Sequence, residues 1–287
     1  MSADDHTRID EAEAWWRTSI IDIHPGEIRM RGYAVEDLIG RATFPQMIWL
    51  MLRGDLPTPE QSALLEAVMV GAVDHGPQAP SIAIARMAVT CGLPLNGAMA
   101  SAVNALDDVH GGAGEQCMEL YEGAATRIDG GAAVADAVEA ALDASIKGYG
   151  KIIPGFGHRF HPIDPRAPRL LSLVDLAATD GVVSGRYAAI GRAVEEALAA
   201  RKGKRLPMNI DGVSAVVFCE LGFLPPLGRG LFLLSRSVGI LAHAWEQQGE
   251  GHRIKGPMPK SIPYTFDGPP PRPLPDTLKG RTTPDKD

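Results

Sequence analysis

The sequence predicts an all-α protein, and three observations carry that prediction. Apolar residues recur at helical spacing in several segments, those segments start or stop on capping signals, and strand-like runs are scarce. Thr58-Pro59-Glu60-Gln61 is a helix start: Thr58 can cap, Pro59 suits the first helical position, and Gln61 completes a capping box. Leu64, Leu65, Val68, Met69 and Ala72 follow at helical spacing. Asp129 precedes an alanine-rich segment that sets Val134, Val138, Ala141 and Leu142 on one stripe. Ser184 opens a further helix through Tyr187, Ile190, Val194 and Leu198. Its end, Arg201-Lys202-Gly203-Lys204-Arg205, puts cations where they complement the helix dipole. Ile20 to Met30 reads as a short hairpin turning at Pro25-Gly26. From Gly256 onward the chain is dense in proline, with PPPRPLP over Pro269 to Pro275, and is expected to trail over the surface or a partner subunit.

Composition narrows the class. The chain has 287 residues, 45% hydrophobic and 22% charged, which are ordinary globular values. That length suits one large domain or two modest ones. Twenty-eight Lys and Arg against 35 Asp and Glu give a net charge of −7, so non-specific nucleic-acid binding is not expected. An anionic ligand then needs a local basic patch. Three cysteines, Cys91, Cys117 and Cys219, without C-x-x-C spacing argue against a disulfide framework or a structural zinc site. The acidic start MSADDHTRIDEAEAWW lacks the apolar centre of a signal peptide, and charges and prolines interrupt the apolar stretch from Val213 to Trp245. A cytoplasmic protein with no membrane span is expected.

Three segments look like chemistry rather than scaffold. In His110-Gly111-Gly112-Ala113-Gly114-Glu115, glycines set a tight turn with an imidazole at its rim. Pro154-Gly155-Phe156-Gly157-His158-Arg159-Phe160-His161-Pro162-Ile163-Asp164-Pro165-Arg166 presents two histidines and two arginines on an irregular loop. Arginine binds carboxylates bidentately, so Arg159 and Arg166 read as an anion site beside an acid–base group. No carboxylate or cysteine completes a metal-ligand set around His158 and His161, so no metal is expected. Asn209-Ile210-Asp211-Gly212 precedes an apolar helix. There Asp211 either caps the helix or stands as a desolvated base. Two histidines and a carboxylate on separate loops fit proton transfer next to a carbonyl. No nucleophile elbow, Walker loop or dinucleotide fingerprint is present.

These three segments, in this order, resemble the catalytic segments of the citrate synthase superfamily. Arg31-Gly32-Tyr33, Gly54-Asp55-Leu56-Pro57, Asp74-His75-Gly76 and Arg236-Ser237-Val238-Gly239 resemble further parts of the same pattern, so the likeness covers most of the chain. The resemblance implies a large helical domain (1–112 and 213–287), a smaller CoA-binding domain (113–212), and an active-site cleft between them. It implies that Asp211 moves the methyl proton of acetyl-CoA, His110 donates to the thioester carbonyl, and His158 hydrogen-bonds the keto oxygen of oxaloacetate. His75, Arg159, Arg166 and Arg236 would hold substrate carboxylates. Lys151, Pro154, Gly155, Phe156 and Gly157 would meet CoA. No cofactor beyond the thioester substrate is implied, and a homodimer or a multiple of one is expected, with Val213–Phe223 and Leu231–Trp245 as interface helices.

The chain is shorter than typical citrate synthases, and Asp74-His75-Gly76-Pro77 and Pro259-Lys260-Ser261-Ile262-Pro263-Tyr264 resemble citryl-CoA lyases and the lyase module of ATP-citrate lyase. Lys260 or Arg253 would have to replace the arginine that citrate synthases send to a neighbouring site. The step from His158 to Arg166 is a residue tighter than in citrate synthases. His110 points the other way, because the ATP-citrate lyase module carries an aromatic residue there. The leading expectation is a citryl-CoA lyase, ahead of a compact citrate or methylcitrate synthase and of a non-catalytic CoA-binding subunit.

Overall fold

The structure, a computed structural model, describes residues 3–158, 161–256, 259, 261–262 and 265–273. Arg159, Lys260 and the last part of the proline-rich run lie outside the described residues. The described elements are α1 (Ala3–Trp15), β1 (Ile21–His24), β2 (Glu27–Met30), β3 (Tyr33–Ala34), α2 (Val35–Leu38), α3 (Phe44–Arg53) and α4 (Pro59–Ala72). They continue as α5 (Pro80–Thr90), α6 (Leu95–Asn104), α7 (Ala113–Asp129), α8 (Val134–Tyr149), α9 (Arg166–Thr179), α10 (Arg186–Lys202), α11 (Ile210–Glu220) and α12 (Pro225–Glu250).

The local signals account for most of these starts. Thr58 Oγ1 accepts the Gln61 N–H at 3.2 Å while Gln61 Oε1 accepts the Thr58 N–H at 3.0 Å, which opens α4. Thr43 and Gln46 build the same box at α3. The hairpin forms where expected, with Ile21 opposite Met30 and His24 opposite Glu27, and β3 adds a third antiparallel strand. Gly26 takes φ +81° at its turn, a conformation open to glycine.

Two helix starts do not rest on a local side-chain cap alone. Asp129 is the last residue of α7, where its carboxylate accepts from Arg186 Nη2 at 2.8 Å; α8 begins behind Ala133, which has no side-chain cap. Helix α10 begins at Arg186, two residues after Ser184, whose Oγ accepts the Arg186 N–H at 3.2 Å, and its other leading N–H groups are capped from another helix. Glu220 accepts from Ser184 and Gly185 at 3.1 and 3.0 Å, and from Tyr187 and Ala188 at 2.6 and 3.3 Å. A cap supplied by tertiary contact leaves no local spacing to read. The basic end of α10 is ion-paired, Arg201 with Glu139 and Asp143, Arg205 with Glu195.

Buried side chains form two clusters. The larger draws on α3, α4 and α7–α11; the smaller joins α5 and α6 to α12. Helix α11 lies at the centre of the larger one, buried from Gly212 through Cys219 on every face. That is where a helix apolar all round must go. Val213–Phe223 is therefore core and not an interface, contrary to expectation. On α12, in contrast, Leu234, Val238, Leu241 and Trp245 point outward. No helix among the described residues is long and apolar enough to cross a membrane.

Candidate active site

The start of α11 meets the loop that carries His158, and glycine makes the meeting possible. Phe156 pairs with Met208 in an antiparallel bridge. Gly157 N–H donates to Pro207 O at 2.7 Å, and Asn209 N–H donates to Gly155 O at 3.0 Å. A Cβ on Gly155, which has φ +82°, would sit 2.7 Å from Cys117 Sγ and 2.8 Å from Gly212 Cα; one on Gly212 would run into Gly155 O. The two chemical segments are thus joined backbone to backbone.

Asn209 caps α11: its Oδ1 accepts from the N–H groups of Asp211 at 2.9 Å and Gly212 at 3.2 Å. Asn209, and not Asp211, therefore supplies the cap. Relieved of capping, the Asp211 carboxylate is free to act as an acid or base. Burial pushes its pKa up, with Asp164 adding to the rise, while Arg236, Arg166 and His158 oppose it.

His110 sits at the N-terminus of α5. Its Nε2 lies 3.1 Å from the Ser81 N–H and 3.0 Å from Ser81 Oγ. A backbone N–H can only donate, so Nε2 is the acceptor and the ring proton resides on Nδ1. Burial and the nearby Arg236 charge lower its pKa and keep it neutral. The result is a neutral imidazole with one N–H free to meet a carbonyl oxygen. His158 has the opposite tautomer: its Nδ1 accepts the His161 N–H at 3.0 Å, which places the proton on Nε2. His158 also lies ring to ring with His75, centroids 6.0 Å apart.

Two arginines supply the positive field. Arg236 is buried, with 5% of its surface exposed; Nε donates to Ala72 O at 3.1 Å and the guanidinium lies 4.9 Å over the Phe232 ring. Desolvation lowers its pKa, and Asp211 and Asp74 oppose that shift. It acts on His75, His110 and Asp211 alike. Arg166 is less available than expected. Its Nε and Nη2 clasp Asp164 at 2.9 Å each, and Nη1 donates to Gly71 O at 3.2 Å.

Asp164 is a buried residue beside the site that the sequence reading quoted but did not select. Its side chain is fully buried, and Oδ2 also accepts the Ile210 N–H at 2.9 Å. Burial would raise its pKa, but Arg166 and the backbone N–H groups prevail and hold it below the usual carboxylate range. Asp164 therefore ties Arg166 to the residue before Asp211. Its place in an Asp-Pro-Arg run was the available signal. Ser81 acts through its backbone and Oγ and gives no signal of its own.

The structure brings His75, His110, His158, Asp211, Arg166 and Arg236 into one electrostatic neighbourhood. Of the residues expected near CoA, Pro154, Gly155 and Phe156 are buried. The Phe156 ring packs edge-on against Tyr121 at 6.4 Å, so that side chain belongs to the core. Gly157 is half-buried, and Lys151 is exposed at the outer end of the same loop. Arg253 is exposed and contributes nothing to this cluster. Among the described residues no group of three or more His, Cys, Asp or Glu is arranged to hold a metal.

Known proteins share this arrangement of segments. Residues 11–67 and 57–258 match the family described as citrate synthase, C-terminal domain. A citrate synthase of Heyndrickxia coagulans is 32% identical over 228 residues, 78% of this chain and 56% of its own length. The chain spans about half the length of the curated relatives it matches. A solved citryl-CoA lyase from Hydrogenobacter thermophilus superposes with a TM-score of 0.81 at 34% identity, covering 92% of this chain and 99% of the other. An ATP citrate lyase of Methanosaeta concilii, at 21% identity and TM-score 0.73, shares the fold over 93% of this chain and 45% of its own. With its helical fold and its three chemical segments in family order, the chain belongs to the citrate synthase family.

Proposed function

We propose that this protein is a citryl-CoA lyase, cleaving citryl-CoA or a close analogue to acetyl-CoA and oxaloacetate. The observation that carries the reading is a trio linked through Arg236 and Asp211: a carboxyl group whose pKa burial raises, and two imidazoles of opposite tautomer. In the cleavage direction the tertiary hydroxyl of citryl-CoA becomes a ketone as the carbon–carbon bond breaks, and the acetyl half leaves as an enolate. Nδ1–H of His110 would stabilise the enolate oxygen, and Nε2–H of His158 would hydrogen-bond the oxygen that becomes the keto group. Asp211 would accept the hydroxyl proton as the carbon–carbon bond breaks and then deliver it to the methylene carbon of the enolate. Its raised pKa favours holding that proton. The proton lost at the hydroxyl is matched by the one gained at carbon, so no water is consumed.

Arg236, His75 and the remaining N–H groups of Arg166 would hold the carboxylates, with Arg159 as a further candidate. Lys151 and the backbone of Pro154, Gly155, Phe156 and Gly157 would face CoA. The division into a large domain (1–112 and 213–287) and a CoA-binding domain (113–212) belongs to the same proposal. So does a homodimer, for which the outward face of α12 around Val238 and Trp245 offers apolar surface. The near-complete coverage of a lyase of similar length supports lyase over synthase.

The test is to give the purified protein citryl-CoA and identify the products by mass spectrometry. Acetyl-CoA plus oxaloacetate is expected. Citrate plus free CoA would instead favour a compact synthase, and unchanged citryl-CoA would count against both.

A further inference from the structure

Helix α12 presents Arg229, Phe232 and Arg236 at i, i+3 and i+7, along one face. Arg236 belongs to the site already described. Arg229 is used differently: every nitrogen of its guanidinium meets a carboxylate. Nη1 donates to Asp107 Oδ1 at 2.7 Å, Nη2 to Asp108 Oδ1 at 2.5 Å, and Nε pairs with Glu115 Oε2. Asp107 and Asp108 lie on the loop that leads into His110, and Glu115 is in the first turn of α7 immediately after it. Phe232 closes the same loop from below. A Cβ on Gly111 would lie 3.2 Å from both the Phe232 ring and the Leu106 side chain.

We infer that Arg229 is a positioning residue for His110, fastening loop 107–111 to α12 so that the imidazole cannot swing about its single anchor at Ser81. The inference rests on the proposed role of His110. Both Ser81 contacts meet the ring at the same atom, Nε2, and so fix a point on it but not its orientation; a second fastening, on the other side of the loop, is needed to aim Nδ1–H. The side chains of Asp107 and Asp108 are 81% and 72% exposed. Exposed ion pairs contribute little to stability, so these two are poorly explained as a device for folding. Glu115, by contrast, is 15% exposed and needs the guanidinium as its counter-charge.

The test compares Arg229→Gln with the double variant Asp107→Asn/Asp108→Asn, which leaves the inner Arg229–Glu115 pair in place and so keeps the fold. Citryl-CoA cleavage is measured as kcat and KM. The His110 tautomer is read by nitrogen-15 imidazole NMR, with a His110→Gln sample assigning the signal. A roughly 1 Å misplacement costs about a hundredfold in rate. Arg229→Gln is therefore expected to lower kcat about a hundredfold and the double variant about tenfold, with KM little changed and the single Nδ1–H tautomer becoming a mixture. Wild-type kcat and an unchanged tautomer in the folded double variant would overturn the inference, even if Arg229→Gln melts early. If the wild type turns over neither citryl-CoA nor acyl-CoA with oxaloacetate, the proposed function falls. The tautomer spectrum of the variants then decides the positioning role alone.

Discussion

Replacing Asp164 with asparagine tests how the site is braced. The native carboxylate holds Arg166 at two nitrogens and accepts the Ile210 N–H beside Asp211. Asparagine keeps the shape but loses the charge and turns one acceptor into a donor, which then faces a guanidinium or an N–H. Breaking a buried ion pair by removing one partner costs about 3–5 kcal/mol. The Arg166 side chain is 25% exposed, so water offsets part of that loss, and the lower end, about 3 kcal/mol, is the better figure. With roughly 2.1 cal/mol/K of unfolding entropy per residue, a chain of 287 residues should then lose about 5 °C in Tm.

The pH dependence of this loss has a definite sign. The folded-state pKa of Asp164 is depressed. Its stabilising contribution is therefore present above the unfolded value of about 3.9 and disappears as pH falls through the folded one. Calorimetry of wild type and Asp164→Asn should show the full difference at pH 6–8 and a shrinking one below about pH 4. Citryl-CoA cleavage should also fall at least about tenfold in kcat/KM, because Arg166 and the start of α11 lose their common anchor. A difference below about 1 kcal/mol at neutral pH, the range of an exposed pair, or one that grows on acidification, would refute this account of the brace.

Asp211→Asn should lower turnover about a thousandfold yet raise Tm at pH 7. A carboxyl with a raised folded pKa loses stability as pH rises through that pKa, so the gain should vanish in acid, as paired melting curves would show. Gly239→Ala should lose about 1–3 kcal/mol and raise KM in steady-state assays. The added methyl would run into the Val73 carbonyl and displace the segment carrying His75. Glu220→Gln removes the charge that caps α10 and should cost about 1–2 kcal/mol in denaturant unfolding. Its kcat should be unchanged.

Much of this was legible in the sequence where the cause is local. The Thr58–Gln61 box, the Pro25-Gly26 turn and the apolar run after Asp211 act through neighbours within a few residues, and they fold as expected. His110, His158 and Asp211 stood out as candidates because glycine, proline and asparagine around them mark irregular backbone, and the structure links them through Arg236 and Asp211. What stayed hidden depends on residues far apart in the chain. Glu220 caps a helix that begins 34 residues before it, in numbering from Arg186. Arg166 is the local exception: Asp164 stands two residues before it, and the Asp-Pro-Arg run was a signal of their pairing. Phe156, in a loop assigned to CoA, turns inward because Tyr121 offers it an aromatic edge. The tautomer of His110 is set by a backbone N–H of α5, which no side-chain pattern encodes.

The bridge between Phe156 and Met208 has a consequence for how the molecule can vary. It closes the base of a chain excursion that runs out through α9 and returns through α10, while the two residues that flank it, His158 and Asp211, stay stapled together. Breathing or sequence drift in the outer parts of α9 and α10 is thereby decoupled from the spacing of the two groups. The amide protons of Gly157 and Asn209, both inside this staple, should be among the last in the chain to exchange with deuterated solvent. Exposed positions on the outer parts of the excursion can then be changed, in nature or in the laboratory, without resetting the spacing at its root.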